Sequence, residues 1–341
     1  MTKRLIFVGD VWVGPGLPDR SPAWANEDTV INLEGPISRR GRAVDDKICL
    51  ASDPDAFTRV FPVAPRVACL ANNHIMDFGE EGFADTLGYL ERRGIRYYGA
   101  GRLEERCNNP LLLNIDGIIV ALMGYVCAST HAIFATRDRS GVARIELPRI
   151  ADDIAFARTA GAERLVVSLH WGAEEVGLPK PQDIATIHAL LDFGVDLIVG
   201  HHAHRRQPVF VDGGRHAFFG LGNAVFPDFE YRVDGQLKAW TRQRWWNNTG
   251  LVATFLPRSG VVDWRSHNHV DGGFARLAVR CFSVTKWTEL PEERSVAYER
   301  RYRNAVRRAY ARSAVSRFVA RPRWPTITSV SAVLGQVLRG R

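Results

Sequence analysis

The sequence predicts an α/β layered fold, and three observations carry that expectation. Short apolar runs of strand length alternate with stretches of helical spacing along the chain. Many of those runs stop at Asp, Glu, Asn or His followed by a turn. Hydrophobic residues make up 46% of the 341, enough to bury one large core.

Leu5–Val8 is the first strand and closes on Gly9-Asp10. A Pro/Gly-rich loop follows, then Thr29–Leu33, which stops at Glu34-Gly35-Pro36. Asp53-Pro54 opens a short helix toward Phe61, because Asp caps and Pro fits the first helical turn. Val67–Ala71 is the third strand and ends in Asn72-Asn73-His74. Phe83, Leu87 and Leu90 recur at helical spacing between Gly82 and Arg93. Asp116-Gly117, between two apolar runs, is a hairpin signal. A helix over 151–160 leads into Arg164–Leu169, which ends at His170-Trp171-Gly172. A second helix near 182–193 feeds the apolar strand Leu197–Val199 and the sequence Gly200-His201-His202-Ala203-His204. Phe218–Asn223 reads as a further strand with a polar end, and Leu251–Phe255, the region of Trp264 and Ala275–Val279 read as antiparallel strands.

Composition narrows the classes. No run reaches the roughly 20 apolar residues of a membrane span, and the first apolar run is too short for a signal segment. The five cysteines are odd in number, scattered and without Cys-x-x-Cys spacing, so reduced thiols and a cytoplasmic setting are expected. The net charge of +8 is uneven: residues 292–341 hold twelve Arg against three Glu. No recognition motif accompanies that charge, so nucleic acid is not an expected partner.

Imidazoles are poor core filler because each ring nitrogen needs a partner. Three within four residues at a strand end, with carboxylates and an Asn-Asn-His at other strand ends, favour a metal site. In an α/β fold those ends converge beyond the carboxyl edge of the sheet, where ligands gather.

Gly9-Asp10, Asn32-Leu33-Glu34-Gly35, Ala71-Asn72-Asn73-His74 with Asp77, His170-Trp171-Gly172, the Gly200–His204 cluster and Leu221-Gly222-Asn223 resemble the bacterial capsule synthesis (CapA, poly-gamma-glutamate) family. The resemblance covers about residues 4–230. That family is similar to calcineurin-like metallophosphoesterases, so the resemblance implies a four-layer α/β/β/α sandwich over residues 1–285. A basic helical extension, 286–341, would follow. It further implies Asp10, Glu34, Asn73, His170, His202 and His204 as ligands of divalent ions, two in the wider superfamily, with Mn, Fe or Zn suited to such donors. His74 would give a proton to the leaving group. The superfamily's Asp-x-His motif is Asp10-Val11-Trp12 here, so one imidazole is missing, and His201 competes with His202 for one role.

Arg205 and Arg206 read either as an anion clamp or as surface arginines, and Asn223 as a site-floor hydrogen bonder or a turn residue. Glu174 and Glu175 read as exposed loop acids, His188 as structural, and His267 with His269 as a surface pair. In the tail, Val330, Val333, Leu334, Val337 and Leu338 form an amphipathic stripe after a Pro-containing break at 321–325. A contact with membrane lipid and a packing role on the body or a partner protein both remain open. The functional expectation is a metal-dependent hydrolase of capsule or poly-gamma-glutamate biosynthesis. It would act on an anionic polymer or phosphate-containing substrate, with capsule synthesis proteins as partners. The alternatives are a non-catalytic scaffold of a polymer system and a soluble phosphohydrolase outside capsule synthesis.

Overall fold

The computed structural model describes residues 3–320 except 16, 18–20, 46, 234–235, 242, 244–245, 269–283 and 293–294. His269, Cys281, the 275–279 segment and the amphipathic stripe therefore lie outside the described residues.

The strands in chain order are β1 (Leu5–Val11), β2 (Thr29–Leu33), β3 (Val67–Cys69), β4 (Arg96–Tyr98), β5 (Ala100–Gly101), β6 (Leu111–Ile115), β7 (Ile118–Val126), β8 (Gly141–Val142), β9 (Arg164–His170), β10 (Leu197–His201), β11 (Val209–Asp212), β12 (Arg215–Phe218), β13 (Asn223–Val225), β14 (Phe229–Val233), β15 (Gln236–Thr241), β16 (Thr249–Leu256), β17 (Val261–Asn268) and β18 (Lys286–Trp287). The α-helices are α1 (Pro54–Val60), α2 (Gly79–Arg92), α3 (Leu147–Thr159), α4 (Pro181–Asp192) and α5 (Val296–Ala320). Asp53 caps α1 by accepting from the Asp55 and Ala56 N–H groups, as its sequence position implied.

Two seven-stranded sheets form the centre. The first runs β17-β16-β1-β2-β3-β4, with β13 alongside the end of β1; the second runs β18-β11-β12-β10-β9-β7-β6. Their central strands, β1 to β4 and β7, β9, β10 and β12, are parallel neighbours. Strands buried on both faces carry the unbroken apolar runs seen in the sequence.

Side-chain alternation sorts those runs between layers. Val166 on β9 and Leu197 and Val199 on β10 enter one core with Leu5, Phe7 and Val30 of the first sheet. Their neighbours Leu165, Val167, Leu169 and Ile198 turn the other way, onto Ile150 and Ile154 of α3 and Ile184 and Ile187 of α4. Phe57 of α1 and Phe83 and Leu90 of α2 cover the first sheet. The order is therefore α/β/β/α, the four-layer sandwich expected.

Two details depart from the sequence reading. Phe218–Asn223 is not one strand: β12 stops at Phe218 and β13 starts at Asn223, with Gly222 between them at φ +76°. A Cβ on Gly9 would stand 1.8 Å from the Gly222 carbonyl oxygen, so the glycines let β13 close on β1 beside Asp10. At the other end, β18 pairs with β11 of the second sheet, just past the division expected at residue 285. Tyr298 of α5 is buried in the α3–α4 core, and its hydroxyl donates to the Pro179 carbonyl at 2.9 Å. The start of the basic extension is thus packed on the body. No helix of the described residues is long and apolar enough to cross a membrane.

Candidate metal centre

The carboxyl ends of parallel strands from both sheets meet at one place. Asp10 comes from β1, Glu34 from the residue after β2, and Asn72, Asn73 and His74 from the turn after β3. The second sheet brings His170 at the end of β9 and His201 at the end of β10, directly paired in register, with His202 and His204 just beyond. Ligating atoms of Asp10, Glu34 and His170 lie within 4.8 Å of one another, and all three residues are buried. His170 Nε2 is 3.7 Å from Glu34 Oε1, and His204 reaches both carboxylates: Nδ1 is 3.2 Å from Asp10 Oδ2 and Nε2 is 3.9 Å from Glu34 Oε1.

Asn32 orients the acids. Its amide nitrogen donates to Asp10 Oδ1 and Glu34 Oε2, each at 2.8 Å, while Asn72 donates to Asn32 Oδ1 at 3.3 Å. Two carboxylates brought together without water are costly unless such bonds and opposite charge compensate. His201 adds a bond to Asp10 Oδ1 at 3.0 Å, so the imidazole competing with His202 is an acid's partner in its own right.

The other expected residues fall around this centre. Asn73 Oδ1 accepts from His170 Nε2 at 2.8 Å. The His202 and His170 rings are 4.8 Å apart between centroids. His74 holds Asp77 through Nδ1 at 2.6 Å, and Lys47 binds both Asp77, at 2.7 Å, and the Asn73 carbonyl, at 2.6 Å. Asn223 Oδ1 accepts from His204 Nδ1 at 2.9 Å. Arg205 donates to the Glu175 carbonyl and lies over the Trp246 ring, while Arg206 donates to Ser266. Trp12 packs on Phe226 and Phe229 and donates to the Ala51 carbonyl. His188 is exposed on α4.

Electrostatics divide the imidazoles. Burial works to raise the Asp10 carboxyl, but bonds from His201 and His204 hold it well below its usual range. Glu34 is driven well above its range by burial and then by the charge of Asp10. Burial opposes charge on His204, yet its bond to Asp10 and the nearby Glu34 push it up to about 10. Burial takes His170 well below its usual value and His202 down to about 4, leaving both neutral. Neutral imidazole is the form that binds a metal. Glu174 is exposed to solvent. Burial would raise its carboxyl, but His202, His204, His74 and Lys47 hold it lower.

The residues fit a divalent ion on one structural ground. Glu34 Oε1, His170 Nδ1 and His202 Nδ1 are buried with no hydrogen-bond partner. A buried polar atom calls for a partner, and a divalent ion is one that suits a carboxylate oxygen and neutral imidazole nitrogens alike. Sequence reading gave no role to Asn32, Lys47, Gln243, Trp246 or Asn247. Asn32 had a signal, as a polar residue within Asn-Leu-Glu-Gly; the others had none.

The model of the family described as bacterial capsule synthesis protein PGA_cap matches residues 4–228. A probable polyglutamine synthesis accessory protein of Mycobacterium tuberculosis is 33% identical over 217 residues, covering 60% of this chain and 57% of that protein. The capsule biosynthesis protein CapA of Bacillus anthracis is 30% identical over 250 residues, covering 71% of this chain and 58% of that protein. The matched stretches thus span little more than half of those relatives. Among solved structures, the calcineurin-like phosphoesterase YfkN of Bacillus subtilis aligns with 91% of this chain and 100% of its own at 12% identity and a TM-score of 0.39, too distant to weigh in reading the site. With two thirds of its length matched by the family model, the chain belongs to the bacterial capsule synthesis protein family PGA_cap.

Proposed function

We propose that the chain is a divalent-metal-dependent hydrolase of phosphoesterase type serving capsule or poly-gamma-glutamate biosynthesis. The observation that carries this reading is the set of buried, unpartnered donor atoms on Glu34, His170 and His202 beside Asp10. Asp10, Glu34, Asn73, His170, His202 and His204 hold the ion or ions, with Mn, Fe or Zn matching the mixed imidazole and oxygen donors. Bound there, a divalent ion supplies Lewis-acid polarisation of a phosphoryl or carbonyl oxygen and acidifies water.

The chain's own residues do the rest. Asp77 accepts from His74 Nδ1, which fixes the ring; as the imidazolium, with a second proton on Nε2, His74 would pass that proton to the leaving group and return to the neutral Nδ1–H form. Lys47 offsets the Asp77 charge, and Trp12 with Phe226 excludes water from one side. Arg205, Arg206 and Asn223 border the substrate side and favour an anionic polymer or phosphate-containing substrate. Residues 1–285 form the catalytic body in this reading. The basic segment 286–341 meets synthesis partners or, peripherally, the inner membrane surface, from the cytoplasm.

Trp12 favours a second reading, an accessory protein without turnover, because it removes an imidazole from the superfamily's motif. Elemental analysis of the purified protein, with assays of a generic phosphodiester and a γ-glutamyl polymer with and without Mn²⁺, separates the two. Metal-dependent hydrolysis that disappears in His74→Ala and His202→Ala supports the enzyme. A metal-free protein without turnover rejects it.

A further inference from the structure

The family-matched stretch ends at residue 228, yet a turn beyond it reaches back into the metal centre. Asn247, 3% exposed, donates from its amide nitrogen to the His204 carbonyl at 2.9 Å and to Glu175 Oε1 at 2.6 Å. Trp246 Nε1 donates to the other Glu175 oxygen at 2.8 Å, and its ring lies 5.2 Å beneath the Arg205 guanidinium, which binds the Glu175 carbonyl. On the other side of His204, Gln243 Oε1 accepts from Asn223 Nδ2 at 3.3 Å, and Asn223 Oδ1 accepts from the His204 ring.

His204 is thus held at its backbone directly by Asn247, and at its ring through Asn223, which Gln243 engages. That support has something to restrain. His202, His204 and Glu175 all sit at positive φ, +82°, +51° and +62°, although none is glycine. Such conformations cost about 1–3 kcal/mol each and persist only where the surroundings over-determine them. The loop carrying the imidazoles would relax without its brace, and His204 would swing away from Asp10 and Glu34.

We propose that Gln243, Trp246 and Asn247, with Glu175, form a positioning brace that aims His204 at the metal. This segment beyond the family-matched stretch would therefore set metal affinity. The inference rests on the metal-dependent reading above. Mn²⁺ is the probe, added to chelator-treated full-length protein and followed by calorimetry and by the electron paramagnetic resonance spectrum of the bound ion.

Asn247→Ala is expected to weaken Mn²⁺ binding about tenfold and to change the spectrum of the bound ion, with the metal-free protein still melting cooperatively. Glu175→Gln accepts from only one of its two donors and is expected to weaken binding about threefold. It decides the matter if Asn247→Ala does not fold. Wild-type affinity and spectrum in the folded variants overturn the brace while leaving the metal site standing. Wild-type protein that takes up no Mn²⁺ overturns both.

Discussion

The two sheets contribute different halves of the centre, and they hold their donors differently. The first sheet supplies oxygen: Asp10 and Glu34, with Asn73 from the turn after β3. Asn32 on β2 bonds both acids and is itself bonded by Asn72 after β3, all within the one sheet. The second sheet supplies nitrogen, and only His170 and His201 stand on regular strand. His202 and His204 ride a loop with left-handed backbone and depend on Asn223, Gln243 and Asn247 from elsewhere. An oxygen half built into the sheet should tolerate little substitution and lose little to distant change. The nitrogen half should be adjustable from afar.

Breaking the oxygen half has the largest expected effect. Asp10→Ala removes a ligand, takes the acid from His201 and leaves His204 only Glu34, so Mn²⁺ affinity should fall at least about a hundredfold; equilibrium dialysis measures it. Retained binding would show that the imidazoles suffice. His74→Ala isolates chemistry from binding. Metal content should stay at the wild-type level while phosphodiester turnover falls about 10²–10⁴-fold, the range for a lost proton donor. A parallel loss of metal would make His74 a ligand.

Acidity sharpens the nitrogen half. A proton on His204, held up to about 10, must leave before that ring binds an ion, and so must the proton on Glu34, held well above its usual range. Metal affinity should therefore rise with pH from 6 to 9, by up to about tenfold per unit for each proton released, with the release seen by calorimetry in buffers of different ionisation enthalpy. His170→Ala should keep that slope, since His170 is already neutral, while lowering affinity throughout.

The smallest effect lies away from the centre. Burial pushes Asp183, in the first turn of α4, up to about 7, where it accepts from the Lys180 N–H. A raised folded-state pKa favours the fold fully below the unfolded value near 4, and that advantage is lost as pH rises toward 7. Asp183→Asn keeps an acceptor and removes the charge, so it should raise Tm by about 2–4 °C at pH 8 and leave it unchanged at pH 4. Calorimetric melts at both pH values test this.

What was legible depended on how local the signal was. The strands were readable because burial on both faces demands unbroken apolar runs, and their polar ends marked Asp10, Glu34, Asn73, His170 and His204 in advance. The choice between His201 and His202 was not readable. The structure gives each a place, one on Asp10 and one against His170, because the backbone turns to positive φ between them. The partners of Arg205 and Arg206 were not readable either, because Glu175, Trp246 and Ser266 come from other parts of the chain.

By itself, the sequence determined the α/β layering, the donor types at the strand ends and the family, since period-two burial and strand-end chemistry are properties of a few consecutive residues. Tertiary structure alone decided which oxygen each imidazole meets, that Trp12 packs on Phe226 and Phe229, and that a turn near residue 247 steadies a histidine 43 residues earlier. Hydrogen-bond partners across such separations are set by how two sheets close on each other, and no local pattern encodes that closure.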